Sequence, residues 1–147
     1  MNSDLEIGDM EFPAGTRLEG QETILVVEDQ MEVRKVVCES LEVFGYSVLE
    51  APGPEQAWFL SERHRGIIHL LLADVLMPKV SGPELAKRLR TSRPDMKILF
   101  MSGWAKQLES ELAGAIIEKP FTPWHLAAKV RETLGPPENT WAARSSP

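Results

Sequence analysis

The 147-residue sequence contains a single cysteine, Cys38, and no long apolar run. One cysteine excludes an internal disulfide, so we expect a reducing compartment, the cytoplasm. No stretch approaches the roughly 20 apolar residues of a membrane span. The first 20 residues also lack the basic start and apolar centre of a signal peptide. The sequence therefore predicts no membrane contact for this chain.

Motifs for nucleotides and for zinc are also missing. No Gly-rich loop ends in Lys and Ser or Thr, and no Gly-x-Gly-x-x-Gly follows the first apolar run. The three histidines, at positions 64, 69 and 125, lack the spacing of metal ligands. These absences argue against a nucleotide-binding loop and against a histidine zinc site.

The net charge of −6 is concentrated at one end of the chain. Residues 1–22 carry six acidic residues and one basic residue, a net charge of −5, so the remaining 125 residues are nearly neutral. No basic footprint is visible, and we expect no nucleic-acid partner. The composition of residues 1–22 predicts a flexible acidic leader or linker, and that of residues 136–147 predicts a flexible C-terminal tail. One domain is expected at 23–135.

Short apolar runs alternate with longer amphipathic segments across this domain. The predicted strands cover residues 23–29, 46–51, 67–74, 96–103 and 115–120. The predicted helices cover 30–45, 53–66, 82–94 and 122–135, with a short helix or irregular segment at 104–114. Trp58 and Phe59 on the second helix are expected to be packing residues. Strict alternation predicts a doubly wound α/β domain, a five-stranded parallel sheet with helices on both faces.

Polar side chains follow four of the five predicted strands. Glu28 and Asp29 end the first strand, Asp74 the third, Ser102 the fourth, and Lys119 follows the fifth. Because ligands bind outside the carboxyl ends of the strands in such sheets, we expect these side chains to converge. Three neighbouring carboxylates need a counter-charge, and an all-oxygen ligand set suits Mg²⁺.

The remaining two side chains indicate phosphoryl chemistry. Lys119 supplies a point charge and Ser102 a hydroxyl donor, which together fit a tetrahedral anion beside the metal. Since no nucleotide loop is present, the phosphoryl group must arrive on another molecule, and the protein needs its own nucleophile. A carboxylate can be that nucleophile, and Asp74 ends a rigid apolar strand.

The segments VVED, DVLMPKVSG, FMSG and EKPF stand in this order, each at the end of a strand. With them, residues 22–135 resemble the receiver domain of bacterial two-component response regulators, the CheY-like fold. The resemblance implies the strand order 2-1-3-4-5 and a signalling domain rather than an enzyme. It also implies that Asp74 is the phosphoacceptor. The phosphoryl group would come from a phosphohistidine on a sensor histidine kinase or a histidine phosphotransfer protein.

The resemblance implies roles for the other strand-end residues as well. Asp29 would bind Mg²⁺ directly, with Glu28 as its acidic partner. Ser102 and Lys119 would contact the phosphoryl oxygens, and the bond between Lys119 and Pro120 would be cis. The implied metal ligands are Glu28, Asp29, Asp74 and the backbone carbonyl of Leu76.

Two positions depart from the family pattern. Ile116 stands three residues before the lysine, where the family usually has Tyr or Phe, and it has no ring to turn inward. Only 17 positions separate Ser102 from Lys119, which predicts a short or irregular fourth helix. Trp104 follows the serine motif, either as a replacement switch or as a cover for that region. The signal is expected to leave through the surface of helix four, strand five and helix five.

The sequence leaves several alternatives open. No output domain is expected in this chain, so it would signal by contact with an unknown protein partner or relay phosphate. It would be either a stand-alone regulator or the C-terminal receiver of a hybrid histidine kinase. A phosphorylation-independent pseudo-receiver is favoured by Ile116 and disfavoured by the retained acidic residues. A phosphohydrolase of the haloacid dehalogenase type is a remote alternative, because such enzymes need a second aspartate where this chain has Leu76.

Overall fold

The computed structural model describes residues 17–103 and 115–136. Its strands are β1 (Thr23–Val27), β2 (Ser47–Ala51), β3 (Leu70–Asp74), β4 (Lys97–Ser102) and β5 (Ala115–Glu118). Its helices are α1 (Met31–Val43), α2 (Pro54–Arg63), α3 (Gly82–Ser92) and α4 (Pro123–Leu134). The predicted fourth helix, with Trp104, lies outside the described residues, as do residues 1–16 and 137–147. Within the described part of the chain, no helix has the length and apolar character to cross a membrane.

The described strands form one parallel sheet in the order β2-β1-β3-β4-β5, which confirms the predicted topology. Asp74 at the end of β3 pairs in register with Met101 of β4. Ser102 at the end of β4 pairs with Glu118 at the end of β5. The carboxyl ends of the central strands therefore reach the same edge of the sheet.

The core consists of two layers, one on each face of the sheet. Alternate strand residues point to opposite faces, so Leu25 and Leu71 belong to one layer while Ile24 and Leu70 belong to the other. Helices α2 and α3 cover the first layer through residues such as Leu85. Helices α1 and α4 cover the second. This doubly covered sheet is the rigid support of the strand ends.

Two sequence predictions about burial need correction. The third strand begins at Leu70 rather than at residue 67, because Ile67 is 68% exposed and pairing with β1 starts at Leu70. Trp58 and Phe59 were expected to pack, but they are 40% and 55% exposed. Helix α2 turns its small side chains inward instead, and the Arg63 guanidinium lies 4.8 Å from the Phe59 ring.

A buried arginine, Arg131, hydrogen-bonds to several groups at the amino end of the sheet, opposite the carboxyl edge. Arg131 on α4 is 7% exposed, and its guanidinium donates hydrogen bonds in several directions. The acceptors are the carbonyls of Gly135 (3.0 Å) and Glu19 (3.2 Å), the hydroxyl of Tyr46 (3.1 Å), and both carboxylate oxygens of Glu22 (3.2 and 2.6 Å). We call Arg131, Glu22 and Tyr46 the arginine cluster.

The arginine cluster holds the chain that precedes β1. The Tyr46 hydroxyl donates to the carbonyl of Leu18 at 3.2 Å, and the Gly20 N–H donates to the carbonyl of Phe44 at 3.0 Å. Residues 18–22, which the sequence places in the predicted leader, therefore hydrogen-bond to the domain. The boundary at residue 22 stays a prediction.

The Glu22 carboxylate is expected to make stability depend on pH. Partial burial raises its pKa, but hydrogen bonds and the charge of Arg131 outweigh burial and hold the pKa below its ordinary value of 4.5. A depressed folded-state pKa means that the stabilisation is present above the unfolded value and is lost as the pH falls through the folded value.

We expect Glu22→Gln to lower the free energy of unfolding by about 2 kcal/mol at neutral pH. The loss should shrink in acid, because the wild-type carboxylate becomes protonated as the pH falls through its lowered pKa. Urea unfolding of both proteins at neutral and at acidic pH measures the difference. An equal loss at both pH values would contradict this account of Glu22.

Candidate functional site

The carboxyl edge of the sheet brings together the polar residues predicted from the sequence. Asp74 and Ser102 are the last residues of β3 and β4. Glu28 and Asp29 follow β1, and the Glu28 N–H still donates to the carbonyl of Ala51 on β2 at 3.2 Å. This bond extends the pairing of β1 and β2 by one residue, so Glu28 leaves the sheet in a defined direction.

Lys119 bridges two carboxylates at this edge. Its ammonium group lies 2.9 Å from Asp74 Oδ2 and 3.1 Å from Glu28 Oε1. The Glu28 side chain is fully buried, and its other oxygen accepts the Gln30 N–H at 3.1 Å. Both oxygens of the buried carboxylate therefore have partners, as buried polar groups require.

Three carboxylates lie close enough to share one cation. One oxygen each from Glu28, Asp29 and Asp74 lies within 4.8 Å of the other two. Lys119 supplies one positive charge against three negative ones, which leaves negative charge for a cation to offset. Magnesium, which prefers oxygen ligands, fits this set.

The pKa values of Glu28 and Lys119 are both raised at the site, for different reasons. Burial raises the pKa of Glu28 above its ordinary value, and the nearby Asp74 charge adds to this rise. Burial alone would lower the pKa of Lys119, but its hydrogen bonds to Asp74 and Glu28 outweigh burial and raise it. Lys119 is therefore a firmly charged partner of the carboxylates.

The loop after Asp74 turns the chain sharply into α3. The Gly82 N–H donates to the carbonyl of Val75 at 2.9 Å, and a Cβ at Gly82 would collide with the carbonyl oxygen of Asp74. Glycine is therefore required here for a close approach of two backbones. Leu76, the implied source of a carbonyl ligand, lies in this loop with its side chain 68% exposed.

The remaining predicted residues lie on β4 and β5. Ser102 is 3% exposed, and its carbonyl accepts the Lys119 N–H at 2.9 Å. The peptide bond between Lys119 and Pro120 is cis, as the resemblance implied. Ile116 is partly buried against the layer covered by α2 and α3, beside Phe100 in the register. The prediction for Trp104 lies outside the described residues.

Sequence reasoning missed two residues that hold Glu28. The Gln30 N–H binds its carboxylate, and Arg34 on α1 donates from Nη1 to its backbone carbonyl at 2.9 Å. Arg34 also donates from Nε to Glu50 Oε1 at 3.0 Å. A signal was present, because a cation in the first turn of a helix is opposed by the helix dipole and needs a local reason.

Comparison with known proteins agrees with this geometry. Residues 24–131 match the family model described as "Response regulator receiver domain". The sensor kinase CckA of Brucella abortus is 36% identical in an alignment 124 positions long, which covers 81% of this chain but 13% of that kinase. A CheY homologue of Campylobacter jejuni is 33% identical in an alignment 120 positions long, which covers 76% of this chain and 92% of the homologue.

The solved structures include a close counterpart of the fold. The crystal structure of the receiver domain from the hybrid histidine kinase CckA has a TM-score of 0.67 and 36% sequence identity. The alignment covers 77% of this chain and 99% of that domain. The family model and the CheY homologue, which this chain nearly spans, both point to one family. The chain therefore belongs to the response regulator receiver domains of two-component signalling systems.

Proposed function

We propose that this chain accepts a phosphoryl group from phosphohistidine onto Asp74 in a Mg²⁺-dependent reaction. The observation that carries the proposal is the Asp74 carboxylate, which lies in contact with Lys119 beside two further carboxylates. Family membership supports the same role. The donor would be a sensor histidine kinase or a histidine phosphotransfer protein, in the cytoplasm.

The transfer exchanges one bond to phosphorus for another. An Asp74 carboxylate oxygen attacks the phosphorus, a P–O bond forms, and the P–N bond of phosphohistidine breaks. The imidazole nitrogen keeps the electron pair of the broken bond and can then take up a proton from solvent. Catalysis of such transfers rests on positioning and on charge rather than on new covalent chemistry.

The residues around Asp74 would supply that positioning and charge. Lys119, already 2.9 Å from Asp74, would contact a phosphoryl oxygen, and the Ser102 hydroxyl would donate to another. The groups that would hold the metal are Glu28, Asp29, Asp74 and the Leu76 carbonyl. When bound, Mg²⁺ offsets the negative charge of the carboxylates and of the phosphoryl oxygens.

We propose that the signal leaves as a change in a surface that includes β5 and α4; the predicted fourth helix of that surface lies outside the described residues. Ile116 cannot act as an aromatic switch, so the readout would depend on Ser102, with Trp104 either as a replacement switch or as a cover for the region after the serine motif. The output partner would be a protein that recognises this surface. Likeness to the CckA receiver supports a place in a hybrid histidine kinase, and likeness to CheY supports a stand-alone regulator.

One observation favours a phosphorylation-independent role as the second candidate. Lys119 forms ion pairs with both Asp74 and Glu28, so these two carboxylates already have a cationic partner in this structure. A pseudo-receiver would use the same surface for binding without any transfer. The haloacid dehalogenase alternative is not supported, because the chain belongs to the receiver family.

The deciding experiment uses a small phosphodonor. Incubation of the protein with acetyl phosphate and Mg²⁺ should add one phosphoryl mass, because a carboxylate nucleophile needs no kinase-specific contact. Removing the metal with a chelator should abolish the adduct, and a monovalent salt at equal ionic strength should not restore it. Intact-mass spectrometry reads both results. Absence of a metal-dependent adduct would overturn the proposal in favour of the pseudo-receiver.

A further inference from the structure

Asp29 is the most exposed member of the three-carboxylate cluster, and its placement depends on the backbone. In the part of the chain that the structure describes, no hydrogen bond or ion pair holds its carboxylate. Glu28, by contrast, is held at both carboxylate oxygens. Whatever orients Asp29 must therefore act through the peptide groups on either side of it.

Arg34 and the Glu28 carboxylate together hold those two peptide groups. The Arg34 guanidinium donates from Nη1 to the carbonyl of Glu28 at 2.9 Å, which holds the peptide group before Asp29. The N–H of the peptide group after Asp29, that of Gln30, donates to Glu28 Oε2 at 3.1 Å. Both planar units meet at the Cα of Asp29, so holding the two of them fixes the direction in which the Asp29 side chain leaves the backbone.

The guanidinium is itself held in place. Its Nε donates to Glu50 Oε1 at 3.0 Å, and the Arg34 side chain is 15% exposed. Two N–H groups of one rigid planar fork thus connect the end of β1 to the end of β2. The Glu50 carboxylate also offsets the positive charge that Arg34 would otherwise place beside a cation site.

We propose that Arg34 is a positioning residue for the divalent cation, acting through the Glu28 carbonyl to orient Asp29. The inference rests on the metal site of the proposed function. It adds a residue that touches neither metal nor phosphoryl group but sets the affinity for the metal. Outer residues that orient metal ligands commonly change metal affinity by about 10–100-fold.

The direction in which the metal affinity changes distinguishes a positioning role of Arg34 from an effect of its charge alone. Arg34→Gln removes a positive charge near a cation site, so charge alone predicts tighter metal binding. Loss of positioning predicts the opposite, weaker binding. Lys35→Gln removes the same charge at an exposed neighbouring position and is the matched control. Arg34→Lys keeps the charge but loses the fork.

The test measures Mn²⁺ binding to the full chain by electron paramagnetic resonance of the free ion, without any phosphodonor. We expect Arg34→Gln to weaken binding roughly tenfold. Arg34→Lys should weaken it less, because it keeps the charge and one donor group and loses only the planar fork that reaches both acceptors in a fixed geometry. Lys35→Gln should match the wild type or bind slightly more tightly. Phosphoryl uptake should require correspondingly more Mg²⁺ in Arg34→Gln and approach the wild-type rate at saturation.

The outcomes distinguish the two proposals. If Arg34→Gln binds Mn²⁺ as tightly as Lys35→Gln, the role of Arg34 is overturned and the phosphoacceptor proposal is untouched. If the wild type binds no divalent ion, both proposals fail. If Arg34→Gln does not fold, weaker binding by Arg34→Lys supports positioning, and wild-type affinity in Arg34→Lys overturns it.

Discussion

Asparagine in place of Asp74 is expected to reduce phosphoryl uptake from acetyl phosphate by more than about a thousandfold. The amide has nearly the same shape and can still accept the hydrogen bond from Lys119, but it has no anionic oxygen to attack phosphorus. Intact-mass spectrometry in the presence of Mg²⁺ measures the loss. The same experiment with Asp95→Asn, at an exposed carboxylate outside the site, should show wild-type uptake.

Stability measurements distinguish the loss of the nucleophile in Asp74→Asn from a loss of folding. Asp74→Asn removes one of three neighbouring carboxylates, so the free energy of unfolding should stay equal or rise. A variant that is folded, at least as stable and unable to take a phosphoryl group identifies Asp74 as the acceptor. An adduct that forms on Asp74→Asn at the wild-type rate would show that another side chain is the acceptor.

Methionine in place of Arg131 is expected to cost roughly 3–5 kcal/mol of the free energy of unfolding. The guanidinium is buried and connects Glu22, Tyr46 and two backbone carbonyls. Removing it leaves a largely buried Glu22 carboxylate without its cation. Urea unfolding at neutral pH measures the cost.

Lys129, on the same helix, provides the control variant for Arg131→Met. Lys129 pairs with Glu132 at 3.6 Å, and the Glu132 side chain is 72% exposed. Such surface pairs contribute little, so Lys129→Met should change the free energy of unfolding by less than about 0.5 kcal/mol. Similar losses for the two variants would show that the arginine cluster is no stronger than a surface ion pair.

Much of the fold could be predicted from the sequence, because buried strands need continuous apolar runs and parallel strands need helical connections. The runs around Leu25 and Leu71 became adjacent central strands, and the family resemblance supplied the strand order. Element ends were less predictable. Ile67 is apolar like its neighbours, and only pairing with β1 shows that the strand starts at Leu70.

The candidate site was predictable to the extent that strand ends converge. Glu28, Asp29 and Asp74 were expected at one edge, and the structure places them within 4.8 Å of each other. Their chemical roles stay predictions. Arg34 and Arg131 were not foreseen because their partners are set by packing rather than by spacing. The carboxylate that pairs with Arg131, that of Glu22, lies 109 residues away in sequence.

The arginine cluster has a consequence for how the domain can be joined to other proteins. It fastens residues 18–22 at the amino ends of the strands, while Asp74 lies at their carboxyl ends. The chain therefore reaches β1 at the pole opposite Asp74, the proposed phosphoacceptor. Residues 18–22 anchor any upstream fusion at that pole, while a phosphodonor would approach the other.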